Sequence, residues 1–135
     1  MSELWKNILA GILTAMTFVF GDMDGLMIAL IALIVLDYIS GVIAAAVKHK
    51  LSSAVGSRGI AKKVIMLLIV AVANIVDVNV IGTGAVLRNV AIVFYICNEC
   101  ISLMENAGKI GVPVPKKLMD VLDQLKSDAD NKDKK

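Results

Sequence analysis

The ionisable and thiol side chains that could do chemistry lie inside long apolar runs. Asp37 and Glu99 are each flanked by aliphatic segments, and Cys97 and Cys100 form a C-N-E-C pair around Glu99. Such a pair could bind a metal or change redox state, but a zinc site usually has four ligands. The single histidine, His49, is far away in the sequence. We therefore expect two small buried thiols in a membrane helix and no metal site.

Sequence patterns typical of enzymes are missing from the chain. It has no glycine-rich phosphate-binding motif, no zinc-protease helix motif and no nucleophile elbow. A single histidine also argues against a catalytic triad. We therefore expect neither an enzyme nor a cofactor. Asp37 as an intramembrane proton carrier is a second interpretation, because carboxylates at membrane depth can do that work.

Apolar segments dominate the 135-residue chain, in which 58% of residues are hydrophobic and 19% are charged. A membrane-spanning helix needs about 20 apolar residues. Residues 26–47, 64–81 and 85–104 meet or approach that length, and residues 4–20 form a shorter segment. The sequence predicts an all-α integral membrane protein with four transmembrane helices, or three plus one interfacial helix. A net charge of +2 gives no reason to expect a nucleic-acid partner.

Basic residues are distributed unevenly between the predicted loops. The loop at 48–63 has five, the segment after Met104 has seven, and the turn at 21–25 has none. Because cytoplasmic loops are enriched in Lys and Arg, four spans place both termini in the cytoplasm. Three spans would instead leave Lys6 outside. The predicted basic loop contains Lys48, Lys50, Arg58, Lys62 and Lys63.

Depth along each helix, at about 1.5 Å per residue, predicts which polar groups meet. Asp37 lies about 16 Å from the start of its span, so we expect Tyr95 or Asn98 to hold its carboxylate, or the carboxyl to be protonated. Asp77 and Arg88 have matching depths on either side of a glycine turn, which predicts an ion pair. Alternatively, each reaches the headgroups separately. Glu99 lies within reach of long basic side chains, the candidates being Lys48, Lys62 and Lys63.

Two helical faces carry residues suited to helix association or to a pore. On the last span a polar stripe follows the helical period and either lines water or contacts other helices. Near Asp37, small residues four positions apart allow helices to approach closely. The stripe consists of Arg88, Ile92, Tyr95, Glu99 and Ser102, and the small-residue face of Ser40, Gly41, Ala44 and Ala45. The predicted pore or assembly residues are Asp37, Ser40, Gly41, Asn74, Asp77, Arg88, Tyr95, Asn98 and Glu99.

Two prolines, Pro113 and Pro115, divide the chain near its C-terminal end. Residues 1–111 form the predicted transmembrane domain, and residues 112–126 a short cytoplasmic amphipathic helix. Its apolar stripe of Leu118, Val121, Leu122 and Leu125 predicts that it lies on the membrane surface, or alternatively packs on its own chain. Residues 127–135 are expected to be a disordered charged tail.

Several short runs together resemble the toxin secretion/phage lysis holin family. In order they are LDYISGV at 36–42, KLSS at 50–53, GIAKK at 59–63, ANIVD at 73–77, LR at 87–88, FYICNE at 94–99, LMENAG at 103–108 and VPVPKKL at 112–118. The resemblance implies a small phage or prophage protein of the bacterial cytoplasmic membrane. Such proteins oligomerise and open lesions that let an endolysin reach the peptidoglycan, and relatives serve toxin export. The expected partners are further copies of the chain, the lipid bilayer and, functionally, an endolysin.

Two other kinds of membrane protein remain compatible with the sequence. One is a small ion- or proton-conducting protein that uses Asp37. The other is a non-conducting adaptor that acts through its cytoplasmic segment. Conduction of ions without release of proteins would identify the first, and harmless overproduction the second.

Overall fold

A computed structural model describes residues 2–132, and this part of the chain is helical and contains no strand. The helices are α1 (Ser2–Phe20), α2 (Gly25–Val47), α3 (Ser53–Val76), α4 (Val86–Lys109) and α5 (Lys116–Lys132). A π-helical turn at Asp77–Ile81 extends α3. Four helices are long and apolar enough to cross a membrane, namely α1, α2, α3 with its π-helical turn, and α4. The predicted all-α membrane fold is confirmed.

Side-chain caps fix where two of the spans begin. The Asp24 carboxylate accepts the Met27 backbone N–H at 3.0 Å at the start of α2. The Ser52 hydroxyl accepts the Val55 N–H at 3.2 Å at the start of α3. Each cap satisfies one of the N–H groups that a helix leaves without an internal partner.

The helix α3 begins well before the apolar segment at 64–81 on which its prediction rested. Arg58, Lys62 and Lys63 therefore lie on the helix, and the connection between α2 and α3 shortens to residues 48–52. Hydropathy detects only the part of a helix that matches the hydrocarbon core. The polar first turns of α3 are specified by the Ser52 cap instead.

The buried core lies between α2, α3 and α4. Met27, Leu30, Val70 and Ile92 are each no more than 2% exposed and pack together. The main packing partner of α2 is α4, whereas α1 packs on α3 and has no buried residue. Large apolar side chains on the outer faces, such as Ile28 and Leu68, stay exposed. This distribution suits spans that are surrounded by lipid.

The helix α5 packs antiparallel along α4. Leu122 and Ala129 are buried, and the Lys126 ammonium donates to Asn98 Oδ1 at 3.0 Å. The contact is the one that the sequence offered as its alternative, packing on the same chain, and the surface-lying position stays a prediction for the chain in a membrane. Residues 127–132, which the sequence assigned to a charged tail, continue the helix here, because Ala129 adds another turn to the apolar stripe. Residues 133–135 lie outside the described part of the chain.

Candidate functional site

An ammonium group shared by two carboxylates joins the three core helices. Lys63 Nζ lies 2.6 Å from Asp37 Oδ2 and 2.5 Å from Glu99 Oε2. The side chains of Lys63, Asp37 and Glu99 are 14%, 9% and 3% exposed. The basic partner predicted for Glu99 is thus Lys63, and the same residue also holds Asp37.

An amide from the end of α4 completes this group. Asn106 Nδ2 donates to Asp37 Oδ1 at 3.1 Å and to Ser40 Oγ at 2.9 Å. The Ser40 hydroxyl donates in turn to the Asp37 backbone carbonyl at 2.8 Å. A Cβ added at Gly41 would lie 3.6 Å from Asn106 Nδ2, which is an ordinary contact distance and shows that α4 lies against α2 here. These residues, Asp37, Ser40, Lys63, Glu99 and Asn106, are called the Lys63 cluster below.

The partners predicted for Asp37 are wrong. Asn98 accepts a hydrogen bond from Lys126 of α5, and Tyr95 packs against the apolar core. Tyr95 and Asn98 both lie at a depth from which they could reach Asp37, but Asn98 is rotated by about 100° from Glu99 around α4. Asn98 therefore faces α5 while Glu99 faces α2 and α3. Asn106 was missed although it continues the polar stripe one turn beyond Ser102.

A second polar cluster surrounds the buried guanidinium of Arg88, which is 3% exposed. Arg88 Nη1 donates to Asp24 Oδ2 at 2.9 Å, Nη2 to the Asp22 carbonyl at 2.7 Å and Nε to the Phe20 carbonyl at 2.7 Å. One side chain of α4 thereby fixes the turn between α1 and α2. The hydrogen bond from Arg88, together with that from the Met27 N–H, holds the pKa of Asp24 below its usual 3.8.

The predicted side-chain ion pair between Asp77 and Arg88 is wrong. The Asp77 carboxylate accepts the backbone N–H groups of Leu87 and Arg88 at 3.1 and 2.7 Å. It therefore caps α4, whose first N–H groups need acceptors and attract negative charge. The Arg88 side chain is left to bind the acidic turn at 21–25. The sequence contains one indication of this contact, because a four-span topology places the acidic turn at 21–25 on the same side of the membrane as Arg88.

Asn74 caps the C-terminal end of α1, next to the turn that Arg88 binds. Its Nδ2 donates to the carbonyls of Phe18 and Val19 at 3.2 and 3.1 Å, which α1 leaves without helical partners. Gly21 follows with φ +79°, and a Cβ there would lie 2.8 Å from both Arg88 Nε and Asn74 Oδ1. Only glycine fits this turn. Asp24, Asn74, Asp77 and Arg88 are called the Arg88 cluster below.

The polar stripe of α4 contacts other helices within a single chain. Arg88, Ile92, Glu99 and Asn106 are buried, and each charged or amide member has a partner on another segment. Both thiols are free, with Cys97 buried and Cys100 half-buried. Across residues 2–132, no group of three potential metal ligands is found.

The five basic residues of the predicted loop lie in different places: one is part of the Lys63 cluster and the others are exposed. Lys63 turns into its cluster, Arg58 stays exposed, and the other three line the mouth of a cavity between α2, α3 and α4. Those three are Lys48, Lys50 and Lys62.

Four apolar helices with charged groups buried between them define a multi-pass helical membrane protein. Residues 14–127 match the bacteriophage holin family, and the chain belongs to that family. It is 34% identical to a probable holin of Bacillus phage phi105, over 98% of this chain and 96% of the phage protein. The resemblance noted in the sequence is confirmed.

Bacterial relatives are similar over most of the chain. An uncharacterized protein of Halalkalibacterium halodurans is 39% identical over 95% of this chain and 98% of its own length. An uncharacterized protein of Listeria monocytogenes is 41% identical over 78% of this chain and 74% of its own. No solved structure matches the chain.

Proposed function

We propose that the protein oligomerises in the bacterial cytoplasmic membrane and opens lesions that release an endolysin or a toxin from the cytoplasm. Family membership and the phage phi105 relative support a holin role. In the proposed topology both termini are cytoplasmic, and the Arg88 cluster lies at the outer surface, because the basic residues concentrate on the opposite side.

The buried polar stripe of α4 is the observation that carries this proposal. Arg88, Glu99 and Asn106 are distributed along nearly the full length of α4, and each bonds to another segment of the same chain. A helix of this kind can exchange protein partners for water along one face while its backbone stays hydrogen-bonded. The wall of a water-filled lesion requires such a face. Before assembly, the Lys63 cluster and the Arg88 cluster keep those charges away from lipid.

Asp37 is less suited to carry protons than the lone carboxylate that the sequence indicated. It bonds to both Lys63 and Asn106 and has little exposed surface. An ion-conducting role would require the Lys63 cluster to open.

The test is inducible expression in a bacterium that also makes an endolysin without a secretion signal. Culture turbidity and membrane potential are followed together, and cultures with either protein alone are the controls. Abrupt lysis that needs both proteins would support the proposal. Depolarisation without lysis would indicate an ion pathway, and an unchanged potential with the protein in the membrane would indicate an adaptor; both results would refute lesion formation.

A further inference from the structure

An open cavity lies between α2, α3 and α4, next to the Lys63 cluster. Its volume is about 800 Å³, within the range of roughly 300–1,000 Å³ typical of ligand sites. Buried Asp37 and Glu99 lie at its base, whereas exposed lysines line its mouth. The mouth residues are Lys48, Lys50, Lys62 and Lys109.

The mouth carries an excess of positive charge that the chain does not compensate. Within residues 2–132, none of its four ammonium groups forms an ion pair. At the base, the positive charge of Lys63 neutralises one of the two carboxylate charges. One net negative charge is therefore left at the base, against four positive charges at the mouth. Four like charges around one opening repel one another, and an anion bound between them would relieve that repulsion. A cation is disfavoured for the same reason.

The walls of the cavity are apolar and are kept open by glycine. Leu51, Val55 and Met66 line it, and the flat side of α3 at Gly56 and Gly59 faces Tyr38. A Cβ at Gly56 would lie 3.4 Å from Tyr38 Oη, so a larger side chain would close this part of the space. An apolar wall does not stabilise a bound inorganic anion, whereas it does stabilise a bound acyl chain.

We propose that this cavity binds an anionic phospholipid, with the phosphate at the lysine mouth and the upper acyl chain along the apolar wall. Basic openings between transmembrane helices are known to suit such headgroups. In the proposed topology the mouth lies at the cytoplasmic leaflet. The binding itself does not depend on lesion formation, and it is measured on the purified chain.

The experiment is native mass spectrometry of the full chain in neutral detergent with equal amounts of phosphatidylglycerol and phosphatidylcholine. We expect the wild-type chain to retain phosphatidylglycerol in preference to phosphatidylcholine. The variant Lys48→Gln/Lys62→Gln should bind phosphatidylglycerol about 30-fold more weakly, because each lysine near a lipid phosphate contributes roughly fivefold to the affinity. A second pair, Lys50→Gln/Lys109→Gln, should show a similar loss, and circular dichroism checks that each variant keeps its helix content.

The matched control is Lys116→Gln/Lys117→Gln, which removes the same charge from exposed lysines away from the cavity. This control should retain phosphatidylglycerol to within about twofold, since its lysines lie away from the phosphate. An equal loss in the control would refute a defined site and show attraction to surface charge in general. Displacement of the lipid by millimolar inorganic phosphate would overturn the lipid as the ligand in favour of free phosphate. Equal retention of both lipids by the wild type would overturn the proposal altogether.

Discussion

Replacement of Lys63 by methionine should destabilise the packing of α2, α3 and α4 more than any other single change in its cluster. The ammonium lies 2.6 Å from one carboxylate and 2.5 Å from the other, and the side chains of Asp37 and Glu99 are 9% and 3% exposed. Removal of one partner from a buried ion pair typically costs about 3–5 kcal/mol, because the remaining charge is left buried and uncompensated. We expect Lys63→Met to lower the free energy of unfolding by an amount in that range.

The arrangement predicts an asymmetry between the cation and its two anions. The variant Glu99→Gln leaves Lys63 paired one-to-one with Asp37 and removes the repulsion between the carboxylates. Its cost should therefore be nearer to that of one hydrogen bond, about 1 kcal/mol. The neutral triple variant Asp37→Asn/Lys63→Met/Glu99→Gln should recover most of the stability that Lys63→Met loses, since no charge stays buried.

The measurement is reversible unfolding in mixed neutral and denaturing detergent micelles, followed by far-ultraviolet circular dichroism. The matched control is Lys62→Met, because Lys62 is adjacent, exposed and without an ion-pair partner within residues 2–132. Its change should be within about 0.5 kcal/mol, as for most surface substitutions. A Lys63→Met variant as stable as Lys62→Met, or more stable than Glu99→Gln, would refute the reasoning.

Three further predictions concern the Arg88 cluster and use the same unfolding assay. Asp77→Ala removes the cap of α4 and should cost about 1–2 kcal/mol, whereas Asn79→Ala, an exposed control in the same turn, should cost less. Arg88→Gln loses its charged contacts with the turn at 21–25 and should cost about 1.5–3 kcal/mol; an unchanged stability would contradict its role in holding that turn. Because the pKa of Asp24 is lowered in the folded chain, its pairing with Arg88 should stabilise the protein fully above about pH 4. That contribution is lost as the pH falls through the lowered pKa, and Asp24→Asn, which keeps a capping oxygen, should lack this component in a pH series.

Apolar length is enough to predict most of the membrane-spanning helices. The predicted segment at 26–47 nearly coincides with α2, and the one at 85–104 covers most of α4, because lipid requires about 20 consecutive apolar residues. The same signal cannot define helix beyond the hydrocarbon core. It therefore missed the first turns of α3 and the extension of α4 to Lys109.

Depth alone is not enough to predict which polar groups meet. Depth correctly predicted that Lys63 can reach Glu99, but it also predicted that Tyr95 or Asn98 holds Asp37. The second prediction failed because depth does not include the direction in which each side chain leaves its helix. Similarly, Asp77 has the depth of Arg88, but the free N–H groups of α4 compete for its carboxylate. Contacts with turns, such as that between Arg88 and Asp24, depend on how the spans are arranged around one another, and a single sequence does not encode that arrangement locally.

The position of α5 imposes a condition on how α4 can span a membrane. Lys126 meets Asn98, about 18 Å along α4 from its start and thus near its middle. The apolar side of α5 faces α4, while Asp120 and Asp123 remain exposed. A charge at the centre of a bilayer costs about 2.5–3.5 kcal/mol even by the lower estimates. A single chain that keeps α5 in this place would carry that cost for each charge it exposes to lipid.

Two arrangements avoid the penalty. In one, α5 leaves α4, and lipid or a further chain covers the apolar side of α4 that includes Val93 and Phe94. In the other, several chains surround water, and the charged side of α5 faces that water while its apolar side stays on α4. The end of α5 then lies beside Asn89 at the outer side of the membrane, so that this arrangement keeps only the N-terminus cytoplasmic. The second arrangement keeps the contact between Lys126 and Asn98 and also provides the polar lining that the proposed lesion needs. The docking of α5 on α4 and the assembly of chains around water are therefore mutually supporting, since each supplies the surface that the other requires.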